Sequence, residues 1–174
     1  TIRMNVVGSD DRPASARDLA SMRSPVYRGM LERAFGLSSG LTYLTGIFTD
    51  TDELVALCEV VAAHGGFYAP HHRSYGAGAL DAYREMIDVA VRAGCSLHLT
   101  HATMNFEENR GRAGELLSVV DRAIDDGVDV TLDTYPYLPG STTLSALLPS
   151  HAATGGPDRT LERLADPAER ALIA

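Results

Sequence analysis

The sequence contains no lysine and no tryptophan among its 174 residues, and all fifteen of its basic residues are arginine. Without lysine, this chain supplies no Schiff-base lysine, no phosphate-loop lysine and no carbamylated metal-bridging lysine. The net charge of -8 argues against a dedicated nucleic-acid-binding protein. No apolar run approaches the ~20 residues that a membrane-spanning helix needs. We therefore expect a cytoplasmic protein that binds neither nucleic acid nor membrane.

Cysteine is scarce as well, since Cys58 and Cys95 are the only two and each sits among apolar residues. Two cysteines are too few for a disulfide scaffold, and the apolar context is typical of small buried side chains. The chain begins with Thr1, Ile2 and Arg3, without an initiating methionine or a signal segment. We therefore expect it to be part of a longer polypeptide.

A pattern of helix, glycine and short apolar strand occurs three times along the chain. Helical apolar spacing begins after Thr51, again near Leu80 and again near Leu116. Glycines end these helices at residues 65–66, 94 and 127, and the predicted strands cover residues 67–69, 96–101 and 128–132. A helix over residues 14–34, expected to kink or break at Pro25, and a glycine-flanked stretch at residues 36–40 predict a fourth unit upstream. Short helical pieces are expected after Tyr137.

This alternation is the signature of parallel βα units, so the fold class is α/β. About four units make half of a (β/α)8 TIM barrel, which typically takes ~250 residues. A doubly wound open sheet of four or five strands also fits the length. No glycine-rich phosphate loop follows any predicted strand, which disfavours the nucleotide-binding version of that second fold.

In parallel βα folds the site forms at the carboxyl ends of the strands, where this sequence places His71, His101 and Asp133. These three residues are 30 and 32 positions apart. Strand alternation predicts His101 on the face of Leu97 and Leu99, lining a barrel interior, with His98 packed outward under a helix. Two histidines at matched strand ends can share one metal ion. The alternative is that each histidine is a hydrogen-bonded structural residue, and pattern alone leaves both open.

An ordered set of motifs, each weak by itself, runs along nearly the whole chain. Together they resemble the N-acyl-D-amino-acid deacylases, or D-aminoacylases, of the amidohydrolase superfamily. The motifs are Gly36-Leu37-Ser38-Ser39-Gly40-Leu41-Thr42-Tyr43, Thr51-Asp52-Glu53-Leu54, His64-Gly65-Gly66, His71-His72-Arg73, Leu99-Thr100-His101, Asp133-Thr134-Tyr135-Pro136-Tyr137, Gly140-Ser141-Thr142-Thr143-Leu144 and Leu164-Ala165-Asp166-Pro167.

The resemblance implies a metal-dependent barrel that uses Zn²⁺ to hydrolyse the amide bond of an N-acylated D-amino acid. It implies that His71 and His101 are zinc ligands and that Tyr43, Tyr135 and Ser141 contact the substrate. Metal polarisation of the amide carbonyl, together with hydroxyl donors to its oxygens, is consistent with that chemistry. The expected partner is therefore a small-molecule N-acyl amino acid.

The sequence also departs from the family pattern. The family's His-x-His pair, its metal-binding cysteine and its late catalytic aspartate have no counterpart here, so we place no catalytic residue within this chain. Thr103 stands where the family usually has a lysine, which is expected near the substrate carboxylate. Tyr75-Gly76 replaces the acidic residue that often follows His-x-Arg in the family. Arg73 either binds a substrate carboxylate or pairs with an acidic neighbour. Asp133 is expected to orient its neighbours and not to act as the base.

Residues 1–174 are therefore predicted to be the central portion of an amidohydrolase barrel, with no second domain visible. The expected partners within the same polypeptide are the remaining barrel segments, and this section alone is expected to be inactive. One rival interpretation is a cyclic amidohydrolase of the hydantoinase or dihydroorotase type, which commonly uses a carbamylated lysine that this chain lacks. The other rival is a non-catalytic truncated barrel that serves as an interaction unit.

Overall fold

A computed structural model describes the backbone of residues 1–173 and the side chains of residues 1–145, 148–149 and 151–173. Its centre is a four-stranded parallel sheet in the order β1-β2-β3-β4. The strands are β1 (Gly36–Gly40), β2 (Phe67–His71), β3 (Ser96–Leu99) and β4 (Val130–Leu132). Gly36 permits a close approach between β1 and β2, because a Cβ atom there would lie 1.9 Å from the carbonyl oxygen of Phe67.

The helices alternate with the strands and are followed by short pieces at the end of the chain. They are α1 (Ile2–Val6), α2 (Ala16–Leu31), α3 (Thr51–Ala62), α4 (Ala79–Ala93), α5 (Ala113–Asp125), α6 (Ser150–Ala153), α7 (Pro157–Ala165) and α8 (Pro167–Ile173). Helices α3, α4 and α5 each connect two consecutive strands, and α2 precedes β1. The predicted four βα units and the short helical pieces after Tyr137 are therefore confirmed.

Capping chemistry sets the helix ends. Asp50, and not Thr51, is the N-cap of α3, because its carboxylate accepts a hydrogen bond of 2.7 Å from the backbone N–H of Glu53. Gly94 ends α4 in the left-handed conformation, with φ at +64°. The expected break at Pro25 is absent, since α2 is continuous across it. Pro25 lies on the solvent face, where the carbonyl that loses its donor, that of Ser21, can be hydrated.

The hydrophobic core lies between the helices and one face of the sheet. On β3, Leu97 and Leu99 are buried in that core, together with Tyr68 of β2. Phe67 and His98 lie on the other face, where their rings are 6.3 Å apart and both side chains are partly exposed to solvent. The prediction that the leucines line the barrel interior and that His98 packs outward is therefore wrong. The reason is that burying two leucines under α4 and α5 removes more apolar area from water than burying a histidine would.

The strand order decides between the two predicted folds. A doubly wound sheet reverses its strand order at a switch point, whereas these four strands follow chain order with all crossover helices on one face. This is the arrangement of consecutive units in a barrel wall. Within residues 1–173, no helix combines the length and the apolar character needed to cross a membrane.

Candidate metal and substrate site

His71 and His101 meet at the carboxyl edge of the sheet. His71 is the last residue of β2, and His101 follows the end of β3 by two residues. Nδ1 of His71 lies 2.9 Å from Nε2 of His101, and the two rings meet edge to face. Two zinc–nitrogen bonds of ~2.1 Å at a tetrahedral angle place the nitrogens about 3.4 Å apart. The observed pair is therefore close to the spacing that one shared ion requires.

His101 reaches this position through a turn and not through strand alternation. Strand β3 ends at Leu99, and His101 adopts a left-handed conformation with φ at +40°. Its backbone N–H donates to Oδ1 of Asp133 at 2.5 Å, and His98 donates to the other carboxylate oxygen at 3.0 Å. These two donors, His98 first, lower the pKa of Asp133. Asp133 therefore orients its neighbours, as the sequence predicts.

The outward-facing nitrogen of each ring has a hydroxyl partner that the sequence motifs did not reveal. Oγ1 of Thr42 lies 2.7 Å from Nε2 of His71. The hydroxyl of Tyr75 lies 3.1 Å from Nδ1 of His101. Thr42 lies two residues beyond the end of β1, so its place near the carboxyl edge was the available signal. Tyr75 stands out in the sequence only as a departure from the family pattern.

The chemistry of this donor set fits a zinc ion. Burial, followed by the neighbouring charge of His101, lowers the pKa of His71 to about 4, so its ring is neutral near pH 7. A neutral imidazole is the form that binds metal. Catalytic zinc sites commonly use three protein ligands. In the described part of the chain no group of three or more His, Cys, Asp or Glu side chains could hold a metal ion. The residues present therefore fit part of a zinc site.

The predicted substrate residues share a cavity with this histidine pair. The cavity has a volume of about 770 Å³, and Tyr43, Tyr135 and Ser141 line it along with both histidines. The Tyr43 ring lies 4.9 Å from the His71 ring, and its hydroxyl is 3.2 Å from Oγ1 of Thr142. Tyr135 stacks on Tyr137. The structure thus brings the five residues together, and their roles toward substrate stay predictions.

Arg73 borders the same cavity but is held by protein groups. It forms a two-pronged ion pair with Glu85, in which Nε and Nη2 donate at 3.0 and 2.9 Å. It also donates to the carbonyl oxygens of Ile47 and Thr49. These contacts match the pairing alternative of the sequence analysis and tie the loop after β1 to helix α4. A contact between Arg73 and a substrate carboxylate remains a prediction.

Three other residues that the sequence singled out lie away from the open cavity. Cys58 and Cys95 are buried, and burial raises the pKa of both thiols. Thr103 is absent from the cavity lining, and its hydroxyl oxygen is buried without a hydrogen-bond partner. The hydroxyl of Tyr83 instead bonds the backbone N–H and carbonyl of Thr103, at 2.8 and 3.0 Å.

No family model matches the chain. Curated proteins do match it, and three are from Alcaligenes xylosoxydans xylosoxydans. The D-aminoacylase is 32% identical over 144 residues, which are 83% of this chain and 30% of that protein. The N-acyl-D-glutamate deacylase is 37% identical over 150 residues, with 81% and 30% coverage. The N-acyl-D-aspartate deacylase is 30% identical over 145 residues. The chain therefore spans about 30% of the length of the relatives it matches.

Solved structures agree with these relatives. A D-aminoacylase crystal structure superposes with a TM-score of 0.77 at 28% identity, covering 80% of this chain and 29% of the other. The N-acyl-D-glutamate deacylase of Bordetella bronchiseptica, solved with zinc and a phosphonate mimic of the tetrahedral intermediate, gives 0.75 at 28% identity, with 78% and 29% coverage. The prediction of about four units of an amidohydrolase barrel is thereby confirmed.

Proposed function

We propose that this chain, a segment of the N-acyl-D-amino-acid deacylase family, belongs to a zinc-dependent enzyme that hydrolyses the amide bond of N-acyl-D-amino acids or related N-acyl compounds. The observation that carries the proposal is the His71–His101 pair at the carboxyl edge of the sheet. We assign both residues as ligands of the zinc ion. Zinc held there supplies Lewis acidity toward an amide carbonyl.

The proposal gives the other residues of the cavity the task of holding the substrate. The hydroxyls of Tyr43, Tyr135 and Ser141 are donors that can bind substrate oxygens beside the histidine pair. Tyr43 now shares a hydrogen bond with Thr142, which a substrate oxygen would replace. The rings of Tyr43 and Tyr75 flank His71 at centroid distances of 4.9 and 5.0 Å and limit the access of water to it.

The remaining parts of the site are assigned to the rest of the polypeptide. We propose that residues 1–174 are the central portion of the barrel and that other barrel segments supply the missing ligands and the catalytic base. This is consistent with relatives that are more than three times longer than the matched region. The proposed enzyme is cytoplasmic, acts on a small molecule, and is inactive when reduced to this section.

The test uses the full-length protein and measures zinc content and hydrolysis of N-acyl-D-amino acids. We expect stoichiometric zinc in the wild type. His71→Asn and His101→Asn should each lose zinc and lower kcat/KM by more than ~100-fold. The reason is that removing a zinc ligand weakens zinc binding more than removing a group that is hydrogen-bonded to a ligand. His151→Asn is the matched control, since His151 is exposed and does not line the cavity.

Two results would contradict the proposal. One is a full-length wild type without stoichiometric zinc, which favours a non-catalytic barrel. The other is hydrolysis of cyclic amides in preference to linear N-acyl-D-amino acids, which favours a cyclic amidohydrolase.

A further inference from the structure

We infer that Thr42 and Tyr75 are positioning residues that determine which ring nitrogens of His71 and His101 face the metal. The inference rests on the proposed function, because it assumes that the two histidines bind zinc. Neither hydroxyl touches the metal position itself. Each acts through the histidine to which it is hydrogen-bonded.

The first step concerns the hydrogen-bonding capacity of the rings. A neutral imidazole carries one N–H group and one lone pair. If Nε2–H of His71 donates to Thr42 and Nδ1–H of His101 donates to Tyr75, the lone pairs remain on Nδ1 of His71 and Nε2 of His101. Those are the two nitrogens that face each other at 2.9 Å. In that pair of tautomers both lone pairs are directed at the same point, whereas the 2.9 Å hydrogen bond between the two nitrogens requires an N–H on one of them.

The second step concerns electrostatics. Two lone pairs that face each other at 2.9 Å repel unless a positive charge lies between them. When the hydroxyls of Thr42 and Tyr75 accept hydrogen bonds, they stabilise the tautomers with Nε2–H on His71 and Nδ1–H on His101. These are the tautomers that favour a bound cation. A hydroxyl can rotate to accept or to donate, so the same side chains also accommodate rings in the metal-free protein. Outer partners of this kind orient metal-binding histidines in many proteins.

The third step concerns rigidity, since a positioning residue has to be held in place. The Tyr75 ring packs 4.1 Å from the His72 ring and 5.0 Å from the His71 ring. The side-chain amide of buried Asn109 donates to the backbone carbonyls of Tyr75 and Gly76 at 3.1 and 2.9 Å. The Tyr75 ring and the backbone at Tyr75 and Gly76 are therefore both held in place. Thr42 is fixed by its place two residues after the end of β1, next to Leu41, whose backbone N–H donates to the carbonyl of His71.

The experiment measures the zinc dissociation constant of the full-length protein by chelator competition, without an activity assay. Thr42→Val and Tyr75→Phe each remove one hydroxyl and keep the shape of the side chain. We expect each to weaken zinc binding roughly 10-fold or more. Thr42→Ser restores the hydroxyl and should stay within about twofold of the wild type. Tyr83→Phe is the matched tyrosine control, because Tyr83 also packs on His72 but bonds Thr103 and neither zinc-binding histidine.

The thermal unfolding of the metal-free variants separates positioning from folding. A purely structural hydroxyl would lower the unfolding temperature and leave the zinc dissociation constant of the folded protein unchanged. That result for Thr42→Val and Tyr75→Phe would overturn the inference, as would equal weakening by Thr42→Val and Thr42→Ser. If Tyr75→Phe does not fold, the valine and serine variants of Thr42 decide. A wild type that binds no zinc would instead refute the proposed function, and the inference with it.

Discussion

Individual residues at the carboxyl edge differ in how far their sequence context reveals them. His71 and His101 could be identified because each follows an apolar strand at matched spacing. Thr42 and Tyr75 could not, because their hydrogen bonds depend on how the loops after β1 and β2 fold back over the histidines. Strand alternation also gave the wrong face for His101, since it does not anticipate a left-handed residue beyond the strand.

Arg73 shows how a cation beside a pocket can be a structural group. Four of its five N–H groups are hydrogen-bonded to Glu85 and to the carbonyls of Ile47 and Thr49. Its pKa is raised, mainly by the hydrogen bond with Glu85. The guanidinium therefore has little capacity left for a substrate carboxylate while this pair stays intact.

Glu85→Gln tests whether the ion pair between Arg73 and Glu85 stabilises the folded protein. The two side chains are 32% and 19% exposed, so the substitution leaves a partly buried guanidinium without its counter-ion. We expect the free energy of unfolding of the full-length protein to fall by about 1.5–3 kcal/mol in denaturant titrations. The control is Glu115→Gln, which breaks the more exposed pair with Arg112 and should cost no more than about 0.5 kcal/mol. Equal losses from the two variants would show that the Glu85 pair has no special role.

At the scale of elements, the sequence predicts most of the fold. Three of the four helix-then-strand units were recognisable because apolar periodicity and a terminal glycine occur together in each, and the unit of α2 and β1 was indicated by the glycine-flanked stretch at residues 36–40. The errors concern details that depend on tertiary surroundings. Pro25 lies inside a helix because its exposed face tolerates a lost hydrogen bond, and the leucines of β3 point toward the helices because that is where apolar area is available.

The helix ends offer a prediction with a matched control. Gly94 has a φ of +64°, and a Cβ atom there would meet nothing within 4 Å. Gly94→Ala should therefore destabilise through backbone strain alone, by about 1 kcal/mol. Gly114 lies in the first turn of α5 with equally open space but no positive φ. Gly114→Ala should stabilise by up to ~1 kcal/mol.

Both glycine variants are compared by thermal and chemical unfolding of the full-length protein. A destabilising Gly114→Ala, or a neutral Gly94→Ala, would show that backbone conformation does not control these two helix ends. Because neither position has a neighbour that an added methyl group would touch, packing cannot account for a difference in sign between them.

For the molecule as a whole, the sheet has a covered face and an open face. The helices bury the side that contains Tyr68, Leu97 and Leu99. On the opposite side Phe67 is 38% exposed. On the covered side, Leu132 of the edge strand β4 is in register with Leu99 and is still 39% exposed. Strands β1 and β4 each have one neighbour in the described sheet, so each presents unpaired backbone groups on its outer edge. In a complete barrel these groups pair with further strands, and the open face becomes the barrel interior.

The last prediction follows from that exposed surface. Residues 1–174 expressed alone should bind a hydrophobic dye, associate with further copies and show no hydrolysis of N-acyl-D-amino acids, because open strand edges and apolar side chains drive association. Size-exclusion chromatography with light scattering measures the association, and the full-length protein is the control, expected to bind little dye. Phe67→Ser should reduce dye binding by the isolated section, since Phe67 contributes its exposed ring to the open face. A monomeric, cooperatively folding and active 174-residue section would refute the proposal that further barrel segments complete this sheet.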